Sequence, residues 1–445
     1  MAREKSIDLR ARAKQVMPPT EVRALARACG LIEREREFDA AAFASTLAFG
    51  PRNTGIDGLR RAYELATRSS IARSTFYDKF TPESVAFTSE LAARVVQRTA
   101  RCPALDQGFQ SLAAVLAIDS TVIRLCELLR DQFPGSRTNH SKAAVKLHTV
   151  MNATAWNMSV KITSGKTADV RALKIGRWTR GKLLLMDCAY FSYDLLERIR
   201  LTGGYFVVRL PAHVNPTVKS VLRGPTGVDD VRFRDVVNEF DGPVLDVDGL
   251  AKYRHNKGRR RVGARKSGVF RFVGVRDPES GELWTYATNL PSSFSAEAVA
   301  SVYRARWIVE LLFKSLKNDF DLDQLRSSNP NVVQTLIYAT VVGWAISNEL
   351  RQAFAENSPV ARRVTPQRWA RVTREVGPLL VAILARPNSH LAGSLAQIVE
   401  ALLRFEAHDP HLARASTIER ALKGGAVEAP ELPLSTRRGA RRKGA

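Results

Sequence analysis

Cysteine is scarce in this chain of 445 residues: Cys29, Cys102, Cys126 and Cys188 are its four, and none forms a CxxC pair. That spacing excludes a thiolate zinc module and a disulfide-stapled scaffold, and it predicts a reduced, intracellular protein. Long apolar runs are missing as well. The longest, Leu336 to Ile346, is too short for a bilayer and is interrupted by Tyr338, Thr340 and Gly343. The charged start from Arg3 onward lacks the apolar core of a signal peptide, so a cytoplasmic location without membrane contact is expected. The seven histidines do not cluster, and His148 in its KLH stretch reads as a core or edge residue. Acid is the scarcer charge: 44 Asp and Glu stand against 68 Lys and Arg, a net charge of +24.

A surplus of that size on a folded surface attracts a polyanion, DNA or RNA first, and a nucleoid-associated protein is expected. Hydrophobic residues make up 45% and charged residues 25%, a globular composition. The length calls for more than one folding unit. Residues 1–105 read as helices, with Thr20-Glu21 and Thr81-Pro82-Glu83 as start signals. The basic and aromatic stretch Ser69 to Phe80 lies between them. A small DNA-binding bundle and a plain packing domain both fit.

From about residue 106 the pattern changes to strands. Ala113 to Ile118 is apolar and ends in Asp119-Ser120-Thr121; Val122 to Leu125 resumes the run. Lys142 to Met151 and Trp156 to Thr163 read as two more strands. A helix is expected after Asp169, where that acid suits a cap. Leu183 to Met186 is a buried strand ending at Asp187, Tyr193 to Leu201 a helix, and Tyr205 to Leu210 a strand. This is an α/β sheet core over 106–210. Residues 211–267 read as a β-rich insertion with an exposed basic loop, Lys252 to Lys266, that carries Arg259, Arg260 and Arg261. Val269 to Val275 and Leu283 to Thr288 form a predicted hairpin that resumes the core over 268–355. Residues 356–445 are expected to be a helical region with a basic tail.

The sharpest pattern lies in Tyr303 to Phe320. At about 100° per residue, Ala305, Ile308, Val309, Leu312, Leu316 and Phe320 make a core stripe. On one continuous helix, Tyr303, Arg306, Glu310 and Lys317 would share the opposite face, with Trp307 at its edge. Taken alone, Arg306 and Glu310 also fit a solvated ion pair four residues apart.

The series Tyr303, Arg306, Glu310, Lys317 resembles the tyrosine–arginine–glutamate–lysine signature of the insertion-sequence-four family of DDE transposases. All four residues and all three spacings match. Asp119 in IDST and Asp187 in MDCAY are similar to that family's first two acids, and Thr288-Asn289-Leu290 ends a strand just upstream, as it does there. The resemblance covers roughly residues 112–350. One departure is Ala189, where the family often has glycine. Asp169 is the alternative second acid.

The resemblance implies a ribonuclease-H-like mixed sheet with a β-rich insertion, flanked by helical regions. It implies Asp119, Asp187 and Glu310 as catalytic, metal-holding acids. Their hard oxygens suit two magnesium ions, with manganese able to substitute. It implies Tyr303, Arg306 and Lys317 as contacts to double-stranded DNA, both transposon ends and target, with a homodimer in the DNA complex. Trp284 and Trp307 are candidates to stack an unpaired base. Two rival readings are a nuclease that cuts without joining and a silent DNA-binding descendant.

Overall fold

Six helices precede the sheet: α1 (Leu9–Val16), α2 (Pro19–Ala28), α3 (Ala40–Phe49), α4 (Gly55–Thr67), α5 (Arg73–Tyr77) and α6 (Pro82–Arg98). The computed structural model describes residues 9–407 apart from 34–37, 52–54, 100–111, 137–140, 154, 156, 258–259, 359–360, 362–363 and 387–390. Helix α6 begins where the sequence signals it: Pro82 fills the first turn and Ser84 Oγ accepts from the Thr81 N–H at 3.1 Å. Asp39 caps α3, accepting from Ala41 N and Ala42 N at 2.8 and 3.2 Å. The other signal, Thr20-Glu21, falls one residue inside α2, which starts at Pro19 without a side-chain cap.

Strands β1 (Ala114–Arg124), β2 (Ala144–Asn152) and β3 (Met158–Ser164) form an antiparallel meander. After the single-turn α7 (Asp169–Ala172), β4 (Lys182–Met186) lies parallel to β1. Then come α8 (Tyr193–Leu201) and β5 (Tyr205–Arg209), parallel to β4. All four side chains of Leu183 to Met186 are buried, as a central parallel strand covered on both faces requires.

The segment expected as a β-rich insertion adds strands to this same sheet. Strand β6 (Thr217–Arg223), helix α9 (Phe233–Glu239), β7 (Val244–Lys257), β8 (Arg260–Arg276) and β9 (Leu283–Thr288) follow, and β9 pairs antiparallel with both β8 and β5. One nine-stranded mixed sheet results, in the order β3-β2-β1-β4-β5-β9-β8-β7-β6. The predicted β8–β9 hairpin is present. Asp277 Oδ1 closes its turn by accepting from Glu279 N and Ser280 N, both at 2.9 Å. The basic stretch Lys252 to Lys266 is not a loop: it pairs across β7 and β8 from Lys252↔Ser267 to Lys257↔Arg260. Beyond Leu250↔Val269, where the pairing of β7 to β6 also ends, β7 and β8 continue as a two-stranded ribbon.

Two further helices, α10 (Ala296–Arg304) and α11 (Trp307–Asn318), lead to the long α12 (Pro330–Asn357) and to α13 (Pro366–Glu375), α14 (Gly377–Ala385) and α15 (Leu391–Ala407). One core cluster joins α3, α6, α11, α12 and α14 to the β1–β3 face, so helices from the two ends of the chain share a single apolar interior. Gly343 permits that packing. A Cβ there would lie 2.6 Å from the Ala48 carbonyl oxygen, so α12 and α3 approach backbone to backbone. The opposite sheet face is covered by α8 and α9 over Leu116, Ile118, Leu184 and Phe206. The basic tail from Ser435 lies outside the described residues.

Candidate active site

β1 does not stop at Asp119. The strand runs on to Arg124, and Asp119 stays paired with Thr149 of β2, because the polar Asp119-Ser120-Thr121 keeps the extended backbone. On the other edge the pairing to β4 ends at Ile118↔Met186. The next residues in register are Asp119 and Asp187, side by side on neighbouring parallel strands that run about 4.8 Å apart. Asp187 opens a short 3-10 turn, Cys188–Tyr190, with no side-chain cap bond to occupy it.

The third acid arrives from α11. Continuous helix was expected from Tyr303 to Phe320, but the chain breaks at Ala305-Arg306 between α10 and α11. Nothing in local propensity demands that break. It turns the Arg306 guanidinium inward: Nη1 donates to Asp119 Oδ2 at 2.9 Å, and Nη2 donates to Glu310 Oε1. Lys317 Nζ donates to the Val122 carbonyl at 3.0 Å. Seven helical residues from Glu310 and three strand residues from Asp119 both span about 10 Å. Helix α11 therefore runs along β1, with Glu310 beside Asp119 and Lys317 beside Val122.

Tyr303 leaves the expected polar face. It ends α10, is buried, and packs on Tyr286 with ring centroids 4.8 Å apart. Its hydroxyl has no hydrogen-bond partner among the described residues. The Arg306 guanidinium lies 5.5 Å from the Tyr303 ring centre. Trp307 opens α11, half-buried, with its indole N–H buried and unpartnered. Trp284 stands on β9 with the Arg209 guanidinium 4.3 Å over its ring. Arg259 lies outside the described residues, as do the side chains of Arg260 and Arg261.

Electrostatics bind this group together. Burial pushes the Asp119 carboxyl up to about 6; Arg306 and the Ser120 N–H pull it down, while Glu310 and Asp187 push it further up. The three acids thus feel one another across the strand ends. Burial works against the Arg306 charge, yet Tyr303, Glu310 and Asp119 outweigh it and hold the guanidinium above its ordinary range.

Asp169 does not cap a helix. Ala168 holds the cap position of α7, and the Asp169 carboxylate accepts from Ser120 Oγ at 2.6 Å and pairs with Lys146 Nζ at 3.2 Å. Ser120 points to the sheet face opposite Asp119, since strand side chains alternate. Asp169 therefore lies behind the acid cluster, in a buried network with His148, which burial pushes down to about 4. Sequence reading missed this network; its members sit 26, 23 and 2 positions apart on different elements, with no local periodicity to mark them (146−120=26, 169−146=23, 148−146=2).

A second missed device is Asn289, which clamps β9 to β5. Its Oδ1 accepts from Phe206 N at 2.8 Å and its Nδ2 donates to the Gly204 carbonyl at 2.9 Å. Thr288 Oγ1 donates to the Phe206 carbonyl at 2.7 Å. The Thr288-Asn289-Leu290 stretch was the signal, and its work is to fix the strand that leads into α10.

The donor chemistry fits a divalent cation: three carboxylates offer hard oxygens, the neighbouring Cys188 thiol is held protonated by burial and by Asp187, and the Asp119 charge is poorly compensated. Among the described residues no three acidic, histidine or cysteine side chains already form a cage for an ion. Arg306 bridges two of the three acids.

A large mixed sheet with helices packed on both faces is consistent with a DDE enzyme. Residues 110–344, more than half of the chain, match the family described as "Transposase DDE domain", and the chain belongs to it. It is similar to the transposase for insertion sequence element IS231F of Bacillus thuringiensis subsp. israelensis, 19% identical over 367 residues, covering 74% of this chain and 76% of that one. The transposase for IS1151 of Clostridium perfringens is 20% identical over 267 residues, 53% of this chain and 56% of its own. A short segment of 73 residues is 37% identical to the putative transposase InsL for IS186A of Escherichia coli (strain K12), spanning 16% of this chain and a fifth (20%) of that protein. No described helix is long and apolar enough to cross a membrane.

Proposed function

We propose that this transposase cuts double-stranded DNA at the terminal inverted repeats of an insertion sequence and joins the freed 3′-hydroxyl to target DNA. Asp119, Asp187 and Glu310 are the acids of the reaction in this reading. The observation that carries it is the register of β1 and β4, in which Ile118 pairs with Met186 and each is followed by an acid, Asp119 and Asp187, with α11 laid along the same strand. Asp119, Asp187 and Glu310 would hold two Mg2+ ions, with Mn2+ able to substitute. When bound, such ions supply a nucleophile at neutral pH and stabilise the leaving oxygen.

The chain's own groups do the positioning. Arg306 suits a bidentate grip on a phosphate and Lys317 a single charged contact. Tyr303 backs the Arg306 guanidinium with its ring, and its buried hydroxyl would meet a backbone phosphate once DNA draws the neighbouring side chains aside. Trp284 or Trp307 receives an unstacked base during second-strand cutting, each with an indole N–H to spare. The β7–β8 ribbon, with Arg259, Arg260 and Arg261 near its end, adds non-specific attraction that weakens with salt. Two copies of the chain act on the paired ends. The three spacings from Tyr303 to Lys317 support membership of the tyrosine–arginine–glutamate–lysine group.

The test is joining of an oligonucleotide end to plasmid DNA in magnesium. Asp119→Asn, Asp187→Asn and Glu310→Gln should each abolish cleavage while a gel shift still reports DNA binding. Cutting without joining would reduce the reading to a nuclease. Near-native cleavage by any one variant would remove that acid from the set.

A further inference from the structure

We infer that Arg306 is a built-in cation that holds the acid cluster before a metal ion arrives, and that it must be drawn off its carboxylates before those acids can take one. This rests on Asp119, Asp187 and Glu310 being the ion-holding acids. Both terminal nitrogens of Arg306 are committed to acid oxygens, one on Asp119 and one on Glu310. The guanidinium therefore stands where a divalent ion would need the same lone pairs. Its side chain is only 12% exposed, so solvent does little to screen it from an ion in the same notch. Consistent with this, no three of the described acids are arranged as a cage while Arg306 bridges two of them.

The arrangement is also built to let go. Arg306 sits in the short turn between α10 and α11 on a backbone of helical dihedrals, so rotation about its own side-chain bonds can redirect the guanidinium without disturbing either helix. Among the described residues its buried Nε has no hydrogen-bond partner, so the guanidinium is only partly satisfied where it stands. A phosphate offers what the present site does not: several oxygens to a planar fork of donors. DNA phosphate entering the site would take the guanidinium and free Asp119 and Glu310 for the ion. Arg306 is then a positioning residue that makes metal and DNA binding assist each other, and linkage requires the help to be mutual.

The test needs no DNA and no turnover. Mn2+ binding is followed by the loss of the free-ion electron paramagnetic resonance signal, for the native chain, Arg306→Gln, Arg306→Lys and Asp119→Asn. Arg306→Gln should bind Mn2+ about tenfold or more tightly than the native chain, within the usual range of such couplings. Arg306→Lys, which can reach only one acid, should fall between. A melting experiment guards against a variant that merely folds badly. Without metal Arg306→Gln should melt below the native chain, and Mn2+ should raise its Tm by more than it raises the native one. Equal or weaker Mn2+ binding by Arg306→Gln, or no differential gain in Tm, would overturn the inference. Tight binding by the native chain that Asp119→Asn removes would keep the acids and refute the role of Arg306. Absence of binding by every variant would instead refute the acids themselves.

Discussion

Two arginines, each holding carboxylate, divide this molecule between structure and chemistry. Arg271 of β8 grips Asp246 of β7 with Nε and Nη2 at 2.9 and 2.6 Å, and its remaining N–H groups reach the carbonyls of Leu290, Pro291 and Phe294. Both side chains are buried, and every donor of the guanidinium has an acceptor. Arg306 makes two bonds, to two different acids, and its buried Nε has no partner among the described residues. The first cluster is satisfied and closed. The second is under-satisfied, with an Asp119 pushed up to about 6 mainly by burial. A saturated ion pair holds one geometry; a strained one stays ready to exchange partners. Arg271 also explains what the insertion contributes to the site. It ties β8 to the loop after β9, and that loop delivers α10 and the Arg306 turn.

The largest expected effect breaks the closed cluster. Arg271→Met leaves Asp246 charged and buried and strands three carbonyls, so the chain should lose about 3–5 kcal/mol of stability. Replacing both partners, Arg271→Met with Asp246→Leu, should recover much of that loss, because no charge is then left alone. Urea denaturation followed by tryptophan fluorescence measures both. A single variant no less stable than the native chain would mean that the pair is not the anchor described.

The open cluster should respond to pH instead. The Asp119 carboxyl is raised from 3.8 to about 6 in the folded chain. A raised folded value means that its contribution is fully present below about pH 3.8 and is lost as pH rises through about 6. Metal-free native protein should therefore lose stability over that window relative to Asp119→Asn, which cannot ionise. Above pH 7 the variant should be the more stable by about 1–3 kcal/mol, the upper figure being the full shift at 1.36 kcal/mol per unit. Parallel stability curves for the two proteins would show that Asp119 carries no such strain. Manganese should narrow the difference by compensating the native carboxylate.

Most of the sheet was legible, because β1 to β5 announce themselves by buried runs and strand-end acids. The neighbourhood of Asp119 and Asp187 follows from those runs, since each acid directly follows the last pair of the β1–β4 register, Ile118↔Met186. How the β-rich insertion attaches to the core was not legible, because β9, which carries β8, joins β5 by a pairing between residues some 80 positions apart (288−207=81). The basic stretch was misread as a loop because Lys252 to Lys266 lacks apolar alternation, although its Tyr253 packs on Tyr193 of α8. The break at Ala305-Arg306 was invisible for a different reason. Both residues are good helix formers and the apolar stripe continues across them. Only Asp119, almost two hundred residues earlier, gives Arg306 a reason to turn inward (306−119=187). Asp169 failed likewise: a position that suits a cap was claimed by Ser120 and Lys146 from the neighbouring strands.

The smallest expected effect separates anchoring from DNA contact on the open side. Lys317 donates to the Val122 carbonyl at 3.0 Å, and its side chain is 27% exposed. If that bond helps to pin α11 along β1, Lys317→Met should cost about 1 kcal/mol, the usual net worth of one hydrogen bond, since the methionine keeps the apolar stem. Cleavage should then fall further than DNA affinity, because Glu310, two turns earlier on the same helix, loses its registration against Asp119. If Lys317 serves only a phosphate, stability should be unchanged, DNA affinity should drop, and the salt slope should shrink by about 0.9. Melting curves, gel shifts at several salt concentrations and single-turnover cleavage of the same variant decide between the two. An Arg271-like loss of several kcal/mol would contradict both, because it would make the open side as rigidly built as the closed one.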